Sequence, residues 1–260
     1  MRFSRARRHF LVLASAAGHP ALHAQPAPPV VAQQVSPSAW YVQGESALGS
    51  PANRNFISNA GFVVTPAGVV VIDALGSPAL ARELMEEIRR RTGKPVTHVV
   101  LTHYHADHIY GLQEFKRAGA KVIAHRSALE YLHSQTAQSR LEVSRRDLAP
   151  WIDARTQLVP ADQWVDGPLE LGVGGMKLLL QPVGPAHTPE DLVVYLPAEK
   201  VLWTADITIV NPNPTQLGTL RSAVAAFDRL NLDYETWIPA HPPNPDRRLT
   251  RADVLAAVGR

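Results

Sequence analysis

The stretch Val96-Thr97-His98-Val99-Val100-Leu101-Thr102-His103-Tyr104-His105-Ala106-Asp107-His108 decides the fold of this chain. Its first half is a short apolar, β-branched run, which predicts a buried strand. Its second half places three histidines and one aspartate within six residues, directly after that strand. A lone histidine is usually structural, but chance explains this cluster poorly. The stretch therefore predicts a metal site at the carboxyl end of a strand.

Strands and helices alternate on both sides of this stretch. Upstream, the runs 61–65 and 68–73 predict a hairpin, and Ser77-Pro78 opens a helix whose buried stripe is Leu80, Leu84 and Ile88. Downstream, the pattern predicts a helix from Gly111 to Ala118, a strand Lys121–Ala124, helical residues 126–149, a hairpin across Gly172–Gly175, strands Leu178–Leu180, Leu192–Leu196 and Val201–Thr204, a helix near 219–230, and a strand Thr236–Pro239. One α/β domain accounts for this order.

The composition limits the chemistry. Of 260 residues, 45% are hydrophobic and 19% are charged, as in an ordinary globular chain with a real core. No apolar run approaches the ~18 to 20 residues that a membrane-spanning helix needs. The chain has no cysteine, which excludes disulfides, thiolate metal sites and cysteine nucleophiles. Any metal must therefore be held by carboxylates and by some of the eleven histidines.

The first residues are predicted to be a targeting signal and not part of the folded domain. Residues 1–24 combine a basic start, the short apolar stretch Phe10–Ala17 and small residues near Ala24, as in an export signal. Arg7-Arg8 fits the twin-arginine form of the signal, and a general secretory signal is the alternative. Residues 25–37 are rich in proline and predict a flexible leader, followed by one domain over 38–260. The expected location is the periplasm or the outside of the cell.

The apparent basicity of the chain comes from this N-terminal segment. The formal net charge is +3, but residues 1–24 contain four arginines and no acidic residue. Without them, 22 basic residues face 23 acidic ones. A nearly neutral domain gives no electrostatic reason to expect nucleic acid or an anionic membrane as a partner, so a small-molecule substrate is expected.

Further candidate ligands follow three other predicted strands. His187 comes shortly after Leu178–Leu180, Asp206 follows Val201–Thr204, and His241 follows Thr236–Pro239. Loops at the carboxyl ends of strands can converge on one pocket. Imidazoles and carboxylates suit zinc, iron or manganese, and seven ligands suit two metals that share one carboxylate. The candidate ligands are His103, His105, Asp107, His108, His187, Asp206 and His241, whereas His98, His125 and His133 are interpreted as structural or surface residues.

These motifs together resemble those of one family. His103-Tyr-His-Ala-Asp-His108 is similar to the HxHxDH signature of the metallo-β-lactamase superfamily, and Asp73, His187, Asp206 and His241 match its other motifs in order. The resemblance covers roughly residues 40–245 and implies a four-layer αβ/βα sandwich, with the metals at one edge of two packed sheets. It also implies a first metal on His103, His105 and His187, a second on Asp107, His108 and His241, and Asp206 as the bridge.

The chain departs from the family pattern at two motifs. Ala240-His241-Pro242 replaces the usual Gly-His-Gly, and Ala205-Asp206 replaces the usual Gly-Asp, so each ligand is kept while its backbone support changes. Within the superfamily, the missing cysteine and the presence of Asp206 argue against the two dinuclear β-lactamase classes. Most similar are the exported zinc metallohydrolases associated with quinoprotein and sulfur-oxidation systems.

The resemblance implies a hydrolase with two zinc ions, or iron or manganese in their place, whose bridging hydroxide attacks an ester, lactone, thioester or amide-type bond. Asp107 is the expected catalytic residue, which orients the nucleophile and carries a proton to the leaving group. Tyr104 either donates to the oxyanion or simply packs, and Asn211–Pro214 either covers the substrate or simply connects elements. Three alternatives stay open: an iron-dependent oxidoreductase acting on a sulfur substrate, a periplasmic β-lactamase, and a non-catalytic metal-binding module.

Overall fold

The computed structural model describes residues 28–207, 214–241 and 249–260, and within them the strands form two sheets. The first sheet has the strand order β1-β2-β3-β4-β5-β6-β7, and the second has the order β13-β12-β11-β10-β9-β8. The strands of the first sheet are β1 Ala32–Gln34, β2 Ala39–Val42, β3 Ala60–Thr65, β4 Gly68–Ile72, β5 Val96–Val100, β6 Lys121–His125 and β7 Gln163–Val165. Those of the second are β8 Leu169–Val173, β9 Met176–Pro182, β10 Leu192–Leu196, β11 Val201–Ala205, β12 Thr236–Pro239 and β13 Leu249–Thr250.

The helices lie outside the two sheets. They are α1 Pro78–Thr92, α2 Ala106–Ile109, α3 Leu112–Arg117, α4 Ala128–Leu132, α5 Gln135–Asp147, α6 Pro214–Arg229 and α7 Arg251–Ala257. Helix α1 begins where the sequence predicts, because Ser77 caps it by accepting a hydrogen bond from the Leu80 amide at 3.4 Å. It ends at Gly93, which has the left-handed φ of 68° that glycine adopts without strain. Among the described residues, no helix has both the length and the apolar character that crossing a membrane requires.

Three apolar clusters arrange these elements in four layers. The first cluster packs α1 and α3 against one face of the first sheet, with Leu84 and Phe115 fully buried. The second joins the two sheets, and the third packs α6 and α7 against the outer face of the second sheet. A Cβ on Gly61 would overlap the Trp203 indole between the sheets, so the close approach there requires glycine. The order helix, sheet, sheet, helix confirms the predicted α/β fold, the αβ/βα sandwich.

The N-terminal boundary of the domain lies earlier than the sequence predicts. Residues 32–34 were expected in the flexible leader, but they form β1, which pairs with β2 in antiparallel register. Val30 and Ala32 are buried, and the Ala32 amide donates to Glu87 Oε1 at 3.0 Å. The prediction of a leader is therefore wrong for residues 32–34, because pairing with β2 and the hydrogen bond to Glu87 hold them in the sheet. The predicted export signal, residues 1–24, lies outside the described residues.

The helical region 126–149 consists of two helices instead of one. Helix α4 ends before His133, and α5 begins after Ser134, which caps it by accepting from the Ala137 amide at 3.1 Å. The hairpin predicted across Gly172–Gly175 is formed by β8 and β9, with Gly174 and Gly175 at positive φ as a tight two-residue turn requires.

The strand directions bring four loops to one edge of the sandwich. Strands β4 and β5 are parallel, and so are β11 and β12. Strand β9 also points the same way as β11, because each is antiparallel to β10 between them. The segments that follow β5, β9, β11 and β12 carry all the candidate ligands, with Asp107 and His108 in the short helix α2.

Candidate metal centre

The structure brings all seven candidate ligands together at this edge. They fall into two groups, and within each group the possible ligand atoms all lie within 4.8 Å of one another. The first group is His103, His105, His187 and Asp206, and the second is Asp107, His108 and His241. Histidines 98, 125 and 133, which the sequence assigned to structural or surface roles, belong to neither group.

The first group joins the loop after β5 to the second sheet. His105 Nδ1 lies 3.0 Å from His187 Nε2, and the latter atom lies 3.3 Å from Asp206 Oδ2. His103 is fully buried, with Nε2 at 3.7 Å from the same carboxylate oxygen. Three imidazoles from two different loops therefore point at one small volume beside Asp206.

The second group surrounds the Asp107 carboxylate. Asp107 Oδ2 lies 3.3 Å from His108 Nε2 and 3.2 Å from His241 Nε2. Asp206 reaches this group as well, because its Oδ1 lies 3.3 Å from His108 Nε2 and its Oδ2 lies 3.5 Å from His241 Nε2. Asp206 thus stands between the two groups, which is where a shared carboxylate ligand would be needed.

Unpaired buried atoms show that this cluster fits a metal. His103 Nε2, Asp107 Oδ2, His108 Nε2 and Asp206 Oδ1 are all buried and have no hydrogen-bond partner. A buried polar atom without a partner is costly, and native proteins rarely tolerate several side by side. Imidazole nitrogens and carboxylate oxygens are ligands for zinc and for divalent iron or manganese. These residues therefore fit metal ions of that class.

The charges of the metal-free cluster are strongly coupled. Burial lowers the pKa of His103 well below its usual value, and it lowers the pKa of His105 to about 4, with a further contribution from His187. Burial would also lower the pKa of His108, but Asp107, Asp73 and Asp206 raise it well above the usual value. In the same way, the nearby carboxylates of Asp107 and Asp206 outweigh burial and raise the pKa of His241 to about 10. A cation binding here would therefore replace protons on the second group.

Asp73 holds two of these histidines in orientation. At the end of β4, it accepts a hydrogen bond from His108 Nδ1 at 2.9 Å, which turns Nε2 toward the cluster. Thr102 Oγ1 donates to the same carboxylate at 2.8 Å and lies 3.1 Å from His103 Nδ1. The sequence places Asp73 in a family motif but gives it no role, because its partners lie about thirty residues away along the chain.

The loops that carry His187 and His241 are held by buried side chains that the sequence analysis missed. Asp191 Oδ2 accepts from the backbone amides of His187 at 2.6 Å and Thr188 at 2.8 Å. Asn59 Nδ2 donates to the Pro239 carbonyl at 2.7 Å, and His241 Nδ1 donates to the Ile57 carbonyl at 2.8 Å. Asp191 lies four residues after His187, a spacing that could have suggested its role, whereas the partner of Asn59 lies 180 residues away.

The two departures from the family pattern meet in the structure. The Ala240 amide donates to the Ala205 carbonyl at 3.0 Å, so the residues that precede His241 and Asp206 are hydrogen-bonded to each other. Ala205 has a φ of 50°, a left-handed conformation that a Cβ disfavours. The family's glycine would adopt it freely, whereas this chain holds Asp206 in place despite some backbone strain.

Tyr104 does not face the cluster. Its side chain is fully buried, its ring stacks on Trp164 with centroids 6.2 Å apart, and its hydroxyl donates to the Val159 carbonyl at 3.2 Å. The suggestion that Tyr104 donates to an oxyanion is therefore wrong, because the hydroxyl is already used in packing. Residues 211–213 of the suggested covering loop lie outside the described residues, and Pro214 begins α6.

Comparison with known proteins places the chain in a family. The family model of the metallo-beta-lactamase superfamily matches residues 53–241, which include all the candidate ligands. The chain belongs to the metallo-beta-lactamase superfamily. This membership agrees with the predicted class of enzyme, a metal-dependent hydrolase of that superfamily, and with a binding site for metal ions in the cluster.

The similar proteins differ in what their names say they act on. A linear primary-alkylsulfatase of Pseudomonas sp. (strain ATCC 19151) is 26% identical over 69% of this chain and 40% of its own length. A metallo-beta-lactamase type 2 of Bacillus cereus is 28% identical over 65% of this chain and 57% of its own. The chain thus spans about half the length of these curated relatives.

Solved structures agree with the fold. The metallo-beta-lactamase FIM-1 from Pseudomonas aeruginosa, in its mono-zinc form, is 17% identical. It superposes with a TM-score of 0.67 over 91% of this chain and 96% of its own length. At this identity, the likeness concerns the fold, and the reaction has to be argued from the site.

Proposed function

We propose that this protein is an exported hydrolase that uses two zinc ions to cleave an ester, lactone, thioester or amide-type bond with water. The observation that carries the proposal is the position of Asp206, whose two carboxylate oxygens lie 3.3 Å from His187 and His108, one in each group. His103, His105 and His187 would hold the first ion, and Asp107, His108 and His241 the second. When bound, the ions would activate a water molecule and polarise the atom that it attacks.

The chain's own residues supply the remaining steps. Asp107 would hold and pass on the proton, because its Oδ2 is buried, lacks a hydrogen bond and faces His241. The proton would move from water to the leaving group as the scissile bond breaks and the water oxygen joins the carbonyl carbon. Asp73, through His108 and Thr102, would keep the histidines from rotating during this exchange.

The relatives' names guide the choice of substrates. One is an alkylsulfatase and another a beta-lactamase, so sulfate esters and β-lactams belong in the same test as lactones and thioesters. The basic and apolar pattern of residues 1–24 supports action in the periplasm or outside the cell. Export fits a hydrolase of external small molecules.

Metal content and turnover test the proposal together. The protein is purified without chelating resin, and its zinc, iron and manganese are measured by mass spectrometry before hydrolysis of the substrate panel is followed. We expect about two zinc ions per chain and turnover of at least one ester, lactone, thioester or amide. His103→Ala should lose metal and activity, because His103 is fully buried in the first group.

His133→Ala is the matched control, since His133 is exposed at the end of α4 and belongs to neither group. It should keep both metal and activity. Predominantly iron, together with consumption of oxygen, would replace the proposal with an oxidoreductase. Full metal occupancy without turnover of any substrate would refute hydrolysis.

A further inference from the structure

A cleft opens beside the candidate metal centre, between the loop after β5 and helix α5. Its volume is about 520 Å³. Ala106, which lies between the candidate ligands His105 and Asp107, forms its inner wall. The outer wall is one face of α5, formed by Gln135, Thr136, Ser139, Arg140, Val143 and Ser144. The backbone segment that carries these two ligands therefore also forms one side of the cleft.

The cleft carries one positive charge and no negative one. Arg140 is exposed, and among the described residues no carboxylate lies within ion-pair distance of its guanidinium. Its neighbour Arg145 differs, because it pairs with Glu142 and donates to the carbonyl of Thr156 at 2.6 Å. No aspartate or glutamate lines the cleft. Arg140 thus keeps its donors available for an anion, which its planar fork binds in a bidentate way.

The rest of the lining suits a mixed ligand. Hydroxyl and amide groups come from Thr136, Ser139 and Gln135, and they can add hydrogen bonds to an anionic group. Val143 is 43% exposed, one of the few large apolar side chains that the described surface leaves open. Ala106 faces it from the other wall. The cleft therefore combines an anion anchor with a small apolar surface.

Tyr131, in the helix α4 that precedes α5, contacts one of the candidate ligands. Its ring packs edge-on against His105, with centroids 6.5 Å apart. A residue flanked by two candidate ligands, Ala106, therefore forms one wall of the cleft whose other wall carries Arg140.

We propose that Arg140 and the α5 wall form a binding subsite for an anionic group of the substrate, a carboxylate or sulfonate joined through an apolar segment to the bond that is cleaved. This inference rests on the proposed function for the position of the cleaved bond. The anion binds on α5, away from the reacting atoms, and Arg140 positions the substrate without taking part in the chemistry.

Two para-nitrophenyl esters of equal chain length test this subsite. Mono-para-nitrophenyl adipate carries a free carboxylate, and para-nitrophenyl hexanoate is its neutral counterpart. For the metal-loaded protein, Arg140→Gln should raise KM for the adipate monoester about tenfold with little change in kcat, because a charge-assisted hydrogen bond is lost. Hydrolysis of the hexanoate should not change, and Arg140→Lys should recover part of the loss.

Arg146→Gln is the matched control, since Arg146 is an exposed arginine of the same helix that does not line the cleft. It should leave both KM values unchanged. Equal effects of the Arg140→Gln and Arg146→Gln substitutions, or equal effects on the two esters, would overturn the proposal while hydrolysis itself would stand.

Equilibrium binding provides a readout that does not need turnover. Hexanesulfonate, which has no hydrolysable bond, is titrated calorimetrically into the wild-type, Arg140→Gln and Arg146→Gln proteins in the metal-loaded form. We expect the Arg140→Gln protein alone to bind about tenfold more weakly. If neither ester is cleaved but this difference is seen, the subsite stands and hydrolysis fails. Wild-type protein that does not bind the sulfonate, or that binds it like the Arg140→Gln protein, would refute the subsite.

Discussion

The Asp73 carboxylate fixes the ring orientation of two histidines. It accepts directly from His108 Nδ1 at 2.9 Å and reaches His103 through the Thr102 hydroxyl. A histidine holds a metal well only when the ring nitrogen that does not bind the metal is fixed by a hydrogen bond. Without that bond, the ring can rotate and carry the metal-binding nitrogen away. Asp73 is therefore expected to act on metal affinity although it is not itself in either ligand group.

The substitution Asp73→Asn tests this role. An amide keeps the shape and tolerates the φ of 65° at this position, so the backbone should not change. It binds His108 less strongly than a carboxylate does, and zinc affinity should fall by about 10- to 100-fold. Competition with a chromophoric chelator measures the change. Asp166→Asn, at an exposed ion pair with Arg126, is the control, and an unchanged affinity in the Asp73→Asn protein would contradict the role.

The ligands and their supports were not equally predictable from sequence. His103, His105, Asp107 and His108 are adjacent in the chain and follow a recognisable strand, so their spacing alone indicates a shared site. His187, Asp206 and His241 were predicted because each follows a strand of its own. Asn59 was missed because its partner Pro239 lies 180 residues away, and no local pattern encodes such a contact.

At the scale of elements, the loop after β11 shows how backbone conformation and ligand placement are coupled. Ala205 ends this strand at positive φ and immediately precedes Asp206. A left-handed conformation costs a non-glycine residue about 1–2 kcal/mol. The hydrogen bond from the Ala240 amide helps to hold it. The backbone is therefore strained here because the chain has alanine where the family has glycine.

The substitution Ala205→Gly should relieve this strain. Glycine loses more entropy on folding, about 0.5–1 kcal/mol, so we expect a net stabilisation of up to about 1.5 kcal/mol. Ala240→Gly is the matched comparison, because Ala240 is buried and has no positive φ. It should destabilise the protein instead. Denaturant unfolding of the metal-free proteins measures the free energy of unfolding of both variants. A loss of stability in the Ala205→Gly protein would show that the alanine is not strained.

The elements were predicted best where the pattern is local. Helix α1 has its cap, its apolar stripe and its terminal glycine within seventeen residues, and all three were predicted. Strand β1 was missed because its burial depends on Glu87 and on pairing with β2, which the sequence of residues 25–37 does not reveal. The division of 126–149 into α4 and α5 depends on one serine cap, a weak signal in a polar stretch.

On the scale of the whole molecule, the candidate metal centre is a junction between the two sheets. The first sheet contributes His103, His105, Asp107 and His108 through the segment after β5, which includes helix α2. The second contributes His187, Asp206 and His241 through the loops after β9, β11 and β12. Without metal, histidine–carboxylate contacts of 3.2 to 3.7 Å join these segments, together with the 3.0 Å contact between His105 and His187. Bound ions would add ligand bonds across this junction.

Metal should therefore stabilise the sandwich as a whole and order one edge of it in particular. A ligand that binds only the folded state at a thousandfold excess over its Kd contributes about 4 kcal/mol. The midpoint temperature of thermal unfolding, Tm, should accordingly rise with the logarithm of free zinc, and a chelator should reverse the rise.

Hydrogen exchange should slow in the loops after β5, β9, β11 and β12, while α1, buried against the far face of the first sheet, should not change. The Asp206→Ala protein should lose most of the shift, because Asp206 contacts both groups. A zinc-independent Tm, or protection spread evenly over the chain, would show that the cluster does not join the sheets through metal.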